Sequence, residues 1–209
     1  MLEGLERVEV AHTLYRLANL SNYGDFARRK GLSFDQAREI VTFMGRDLVD
    51  ALLKKPFEQK ILLSSATPFG PATRFSDGGW PVFYAALEEP TAERECLHHY
   101  AREAMGDANE AVYYSAFRCD FRGESIDLRL KQLEWPDLVA EDYGFCQKLG
   151  EQASDSAIDA FLAPSARQVD GTTAPVFLPR GLSNPGVQTT VCFSWDEEAG
   201  TPVIQRTAE

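Results

Sequence analysis

Thr73-Arg74-Phe75-Ser76-Asp77-Gly78-Gly79-Trp80-Pro81-Val82-Phe83-Tyr84-Ala85-Ala86-Leu87-Glu88-Glu89-Pro90-Thr91-Ala92-Glu93-Arg94-Glu95 carries a turn, a strand and the start of a helix in one continuous run. Asp77-Gly78-Gly79 marks the turn, because glycine reaches positive φ without a Cβ clash and an Asp side chain bonds its own backbone. The apolar residues 82–87 read as a strand, with Val82, Tyr84 and Ala86 on one face and Phe83, Ala85 and Leu87 on the other. Pro90 fits the first turn of a helix, where its missing N–H has no intrahelical partner, and Glu88, Glu89 and Glu93 suit the positive end of the helix dipole. Arg74, Tyr84 and Glu95 are brought near one another by this path. Arginine offers a planar fork of donors for phosphate. A tyrosine ring offers a flat apolar face, and a fixed carboxylate can steady a developing positive charge.

Those three residues are ten and then eleven positions apart. Their order and spacing, with the wording Tyr84-Ala85-Ala86-Leu87-Glu88-Glu89-Pro90-Thr91-Ala92-Glu93 between them, resemble the central block of the RES-domain family, the toxin half of bacterial toxin–antitoxin pairs. Pro164-Ser165-Ala166-Arg167 resembles that family's late segment, and Tyr15-Arg16-Leu17 its opening strand. The resemblance covers roughly residues 60–180. It implies an α+β fold like that of the ADP-ribosyltransferase toxins, a single domain with a mixed central sheet flanked by helices. It also implies attack on the nicotinamide–ribose bond of NAD. Carried over by position, Arg74 would hold the NAD phosphates, Tyr84 would stack near the nicotinamide and Glu95 would steady the ribose. Ser165 would line the pocket and Arg16 would point into it. Water as acceptor makes an NAD glycohydrolase, inorganic phosphate a phosphorylase, and a protein side chain an ADP-ribosyltransferase. The alternative from another class is a catalytically silent nucleotide-binding or regulatory module.

Composition sets the outer bounds. The 209 residues suffice for one domain with a substantial core, taken here as 1–209 with a helical addition around 21–58 and a C-terminal strand or hairpin extension around 181–209. The net charge of −11 and pI near 4.8 argue against direct nucleic-acid binding, which needs a basic footprint. In the family the neutralising antitoxin is a helical protein with a DNA-binding portion, so DNA contact would fall to the partner. Cys96, Cys119, Cys146 and Cys192 are spaced too widely for a zinc knuckle or a redox pair. With no export signal and no run of about 20 apolar residues, the expected location is the cytoplasm, away from membranes.

Along the chain, a first strand is expected around residues 13–17. Ser33-Phe34-Asp35-Gln36 reads as a capping box opening a helix that ends at Pro56. This added helix could cover the pocket, provide an oligomer surface or enlarge the core. The helix from Pro90 should stop near Gly106. His98 and His99 on it point about 100° apart, and with no further ligand at suitable spacing no metal is expected. Residues 112–120 alternate as a central strand, and 125–129 read as another strand of the same sheet. Residues 135–152 read as a helix interrupted at Gly144, and 154–161 as a short helix delivering Pro164-Ser165 into a loop. Residues 174–178 and 191–195 read as strands, the latter opening a terminal hairpin through the turn at 196–200.

Overall fold

The alternation around Thr13 becomes the opening strand of a computed structural model that describes residues 1–19, 52–58, 67–104 and 112–206. Its elements are β1 (Arg7–Asn19), β2 (Phe83–Ala86), α1 (Glu89–Ala104), β3 (Val112–Asp127), α2 (Gly144–Asp155), β4 (Ala160–Pro164), β5 (Thr172–Val176), β6 (Leu182–Asp196) and β7 (Thr201–Arg206). Short 3-10 turns lie at Lys55–Phe57, Arg129–Lys131, Pro136–Leu138 and Pro179–Gly181. The expected capping box at Ser33 and the body of its helix lie outside the described residues, as do residues 60–65. Only the end of that helix, residues 52–54, is seen running into the 3-10 turn that holds Pro56.

The strands form one mixed sheet in the order β1-β2-β5-β4-β3-β6-β7, and β1 also pairs with β3. β3 is the hinge of this arrangement. One edge pairs with β1 along its length, from Arg7 opposite Ile126 to Asn19 opposite Tyr114. The other edge pairs with β6 over its first part and, in parallel, with β4 at Ser125, Ile126 and Asp127. Strands β1, β2, β5, β4 and β3 therefore close on themselves, leaving β6 and β7 as a flap. The α+β class and the mixed sheet with flanking helices agree with the sequence reading.

The closed part is filled from the inward faces of its strands, as period-two alternation requires. Leu14 and Ala18 of β1 meet Phe83 of β2, Phe117, Cys119 and Phe121 of β3 and Val176 of β5. Phe83 and Phe117 pack edge to face at 6.3 Å. Burying each such side chain contributes about 1.5–3 kcal/mol. A second core beneath α2 joins Phe75, Ile126, Leu149, Phe161 and Phe177. A third sets Leu97 and Tyr100 of α1 on Tyr114, Val191 and Phe193. The start of α1 is held by Glu88, whose Oε2 accepts from Thr91 Oγ1 at 2.8 Å and from the N–H of Thr172 at 3.0 Å. Arg206 of β7 pairs with Glu93 at 2.9 Å and ties the terminal hairpin to α1.

Three expectations are corrected. Residues 125–129 are not a separate strand: Ser125–Asp127 complete β3, and Arg129 begins a 3-10 turn. Gly123 lies within β3 with the Asp159 carboxylate packed against it, where a Cβ would meet Oδ2 at 2.7 Å. The same oxygen accepts the Glu124 N–H at 2.9 Å. Residues 135–152 do not form one interrupted helix. Pro136 opens a 3-10 turn, and the α-helix begins only at Gly144, whose N–H is taken by Asp142 Oδ1. Residues 154–161 are not a short helix either: α2 ends at Asp155, Ala157 turns the chain at φ 53°, and Ala160–Pro164 is a strand at the sheet centre. A strand with both faces covered is apolar throughout, which hides its period.

Candidate active site

The site starts from the turn before β2. Thr73 and Ser76 exchange backbone bonds, the Ser76 hydroxyl accepts the Gly78 N–H, and Asp77 Oδ1 accepts the Gly79 N–H at 2.7 Å. Gly78 is required here, since its φ is 99° and a Cβ would meet the Gly70 carbonyl oxygen at 2.3 Å. Tyr84 reaches back from β2 to hold this turn. Its phenol oxygen shares a 2.7 Å hydrogen bond with Thr73 Oγ1 and accepts the Phe75 N–H at 2.7 Å. Burial pushes the phenol well above its ordinary range, so it stays protonated. The ring, held at its tip, presents a face and not a base.

Arg74 leaves this turn toward the segment between the Pro136–Leu138 turn and α2. Its Nη1 donates to the carbonyl of Ala140 at 2.7 Å and to that of Leu138 at 3.3 Å, and its guanidinium lies 4.7 Å from the centre of the Tyr143 ring. Among the described residues no carboxylate forms an ion pair with it. Arg16 approaches from β1, donating to the Tyr84 carbonyl at 2.6 Å over the Phe83 ring at 4.6 Å. Burial pulls its pKa down to about 10, leaving it charged at neutral pH.

Glu95, on α1, completes the group from the opposite wall. Its Oε1 accepts from Ser165 Oγ at 2.6 Å and from the Ala166 N–H at 3.2 Å. The serine hydroxyl in turn accepts the N–H groups of Arg167 and Gln168, so it donates to the carboxylate while being held by two backbone donors. Next to it Arg167 makes a two-pronged ion pair with Glu141, whose pKa the bonds to Arg167 hold down to about 2. This pair joins the loop after β4 to the segment that carries the Arg74 acceptors and Tyr143.

Arg16, Arg74, Tyr84 and Glu95 all line one cavity of about 190 Å³, with Tyr143 and His99 in the same wall. Ser165 is the exception: it orients Glu95 without lining the cavity. A larger cavity of about 440 Å³ adjoins it and shares Arg16, Tyr84 and His99. The residues that the sequence did not single out are Thr73, Tyr143 and the Arg167–Glu141 pair. Arg167 stood in the quoted Pro-Ser-Ala-Arg segment, but its partner is 26 residues away on an irregular stretch with no pattern to flag it. Among the described residues no three His, Cys, Asp or Glu side chains are grouped as a metal site.

Compared with known proteins, residues 49–196 match the family model described as the RES domain. A chain of the crystal structure of the M. tuberculosis MbcT–MbcA toxin–antitoxin complex aligns over 90% of this chain and 87% of its own, at 15% identity and a TM-score of 0.48. No curated protein sequence matches.

Proposed function

The chain belongs to the RES-domain family, and on that premise we propose that it is a toxin that cleaves the nicotinamide–ribose bond of NAD and is neutralised by a cognate antitoxin. One observation carries the reading. Two arginines, a tyrosine face and one pinned carboxylate converge on a single cavity from β1, the turn before β2, β2 and α1.

NAD is the substrate. Its C–N glycosidic bond breaks with the electron pair departing on the nicotinamide nitrogen, and positive charge develops on the ribose. Glu95 is placed to stabilise that charge. Its carboxylate is already oriented by Ser165 and the Ala166 N–H, so no reorganisation is needed as the charge appears. Arg74, free of a carboxylate partner among the described residues, holds a phosphate oxygen. Arg16 adds a second cation at the junction of the two cavities. The Tyr84 ring walls the nicotinamide side. An oxygen acceptor then bonds to the ribose carbon and loses its proton, giving ADP-ribose from water or its phosphorylated form from inorganic phosphate. A protein acceptor would make the same site an ADP-ribosyltransferase, in keeping with the ADP-ribosyltransferase-like fold that the family resemblance implies. No helix among the described residues is long and apolar enough to cross a membrane, and we place the reaction in the cytoplasm.

The test is product analysis after incubation with NAD, with and without inorganic phosphate and with a cell extract, beside Glu95→Ala. Free nicotinamide that depends on Glu95 supports cleavage, and the companion product names the acceptor. A folded protein that releases no nicotinamide under any of these conditions overturns the reading.

A further inference from the structure

Arg167 ends the Pro164-Ser165-Ala166-Arg167 segment, yet it lines neither cavity. Its side chain is 15% accessible, while that of its partner Glu141 is 70% accessible. An ion pair with one end so exposed adds little to stability, because water screens it and holding it costs side-chain entropy. The contact is nonetheless directional. Both terminal nitrogens of Arg167 meet both carboxylate oxygens of Glu141, Nη2 to Oε2 at 2.9 Å, and such a fork fixes the angle between two groups as well as their separation. The pair is better suited to setting geometry than to holding the fold together.

What it sets is read from its two ends. On the loop side, the Arg167 N–H donates to Ser165 Oγ at 3.1 Å, and the neighbouring Ala166 N–H donates to Glu95 Oε1 at 3.2 Å. On the other side, Glu141 stands between Ala140, whose carbonyl accepts from Arg74 at 2.7 Å, and Tyr143, whose ring centre lies 4.7 Å from the Arg74 guanidinium. Tyr143 also lies beside the Arg167 guanidinium. The loop that orients Glu95 is thus tied to the segment that orients Arg74, and among the described residues no other ion pair links the two.

We infer that Arg167 is a positioning residue: through its fork on Glu141 it sets the separation of Glu95 and Arg74, without touching the substrate. The kinetic part of this inference rests on the NAD reading and deepens it. A substrate held by Arg74 at its phosphates and by Glu95 at its ribose spans both walls, so an error in their separation displaces the bond to be broken.

Two measurements test this on the full chain, in wild type, Arg167→Met, Glu141→Ala, the double variant and Glu134→Ala. Arg167→Met keeps the apolar stem, Glu141→Ala trims an exposed side chain, and Glu134→Ala removes an exposed partner of Lys131 that bridges no part of the site. Amide hydrogen exchange followed by NMR reads the geometry without any substrate. The N–H groups of Ala166, Arg167 and Gln168, which donate to Glu95 and Ser165, should exchange about tenfold faster or more in both single variants, while the amides of β4 and α1 keep their protection. Nicotinamide release reads the consequence. Each single variant should lower kcat/KM by about 10–100-fold, the double variant should be no worse than the worse single one because both remove the same contact, and Glu134→Ala should match wild type. Unchanged exchange at these three amides, an equal loss in Glu134→Ala, or losses that multiply in the double variant, as for an Arg167 that meets the substrate itself, would each overturn the positioning role. If Arg167→Met does not fold, Glu141→Ala alone still carries the exchange and release predictions. The two readings fail separately. Faster exchange in the variants with no nicotinamide release from the folded wild type removes the NAD reading and keeps the clamp, whereas Glu95-dependent release that neither variant changes removes the positioning role and keeps the enzyme.

Discussion

Ser165 Oγ lies 2.6 Å from Glu95 Oε1, joining two residues 70 positions apart. The serine is fixed by two backbone donors of its own loop, and its hydroxyl hydrogen is left pointing at the carboxylate. Such a carboxylate is held before the substrate arrives. Glu95→Gln keeps the shape and removes the charge, so it should lower the rate of nicotinamide release by about 10²–10³-fold, the usual cost of one preorganised electrostatic group. Ser165→Ala leaves the charge and the Ala166 N–H, so a smaller loss is expected. Single-turnover rates with saturating NAD check both, and equal losses would show that Ser165 has a direct part in the reaction.

Tyr84 contributes differently. Its hydroxyl satisfies the Phe75 N–H and binds Thr73, and so sets the turn from which Arg74 projects. Tyr84→Phe keeps the ring face and leaves a part-buried N–H without its acceptor. A loss of about 1–3 kcal/mol in stability is expected, visible as a lower urea midpoint at unchanged m value. Because burial keeps the phenol protonated, the same substitution should add or remove no step in the pH–rate profile between pH 6 and pH 9, roughly the span below an ordinary tyrosine pKa.

The parts of this site that could be read from sequence are those whose spacing is local. Arg74, Tyr84 and Glu95 lie on a turn, a strand and a helix whose signals are strong: Asp77-Gly78-Gly79, the apolar run into Ala86, and Pro90. The terminal hairpin was legible for the same reason, with Asp196 Oδ1 accepting two N–H groups of its turn. β4 was not legible, because Ala160-Phe161-Leu162-Ala163-Pro164 is apolar at every position and has no period. Nor was the Arg74 support. Leu138, Ala140 and Tyr143 act through two carbonyls and a ring between the end of a 3-10 turn and the start of α2, and carbonyls carry no residue signature.

Gly150 sits in the middle of α2, where helix propensity alone favours replacing it with alanine. The packing forbids it. A Cβ there would lie 2.0 Å from the Phe75 carbonyl oxygen and 3.3 Å from Trp80 Nε1. The obstacle is backbone of the turn that carries Arg74, so it cannot rotate away. Gly150→Ala should therefore destabilise the fold by about 1–3 kcal/mol, the range for overpacking, instead of stabilising it. Thermal unfolding decides the sign, and a raised Tm would mean that α2 can shift away from the turn at little cost.

The Arg167–Glu141 pair yields a prediction in pH. The Glu141 carboxyl is held down to about 2 from an ordinary value of 4.5, first by its hydrogen bonds to Arg167 and then by the charge of that guanidinium. A carboxylate whose folded pKa is depressed contributes stability that is fully present above its unfolded value and is lost as pH falls through the folded one. The window for this pair therefore runs from about pH 4.5 down to about pH 2. Asp127, lowered by its bonds to Arg129, has the same sign, so the shape of the wild-type acid limb alone cannot assign the effect to Glu141. The difference between wild type and Glu141→Gln can. The gap in stability between them should be constant above about pH 5, narrow as acid protonates Glu141, and close near pH 2. Glu141 is largely solvent-exposed, with 70% of its side chain accessible, and salt screens exposed pairs, so the gap should also shrink at high ionic strength. Chemical denaturation at a series of pH values measures it, and a gap that persists unchanged to pH 2 would mean that the substitution acts through packing and not through the charge of Glu141.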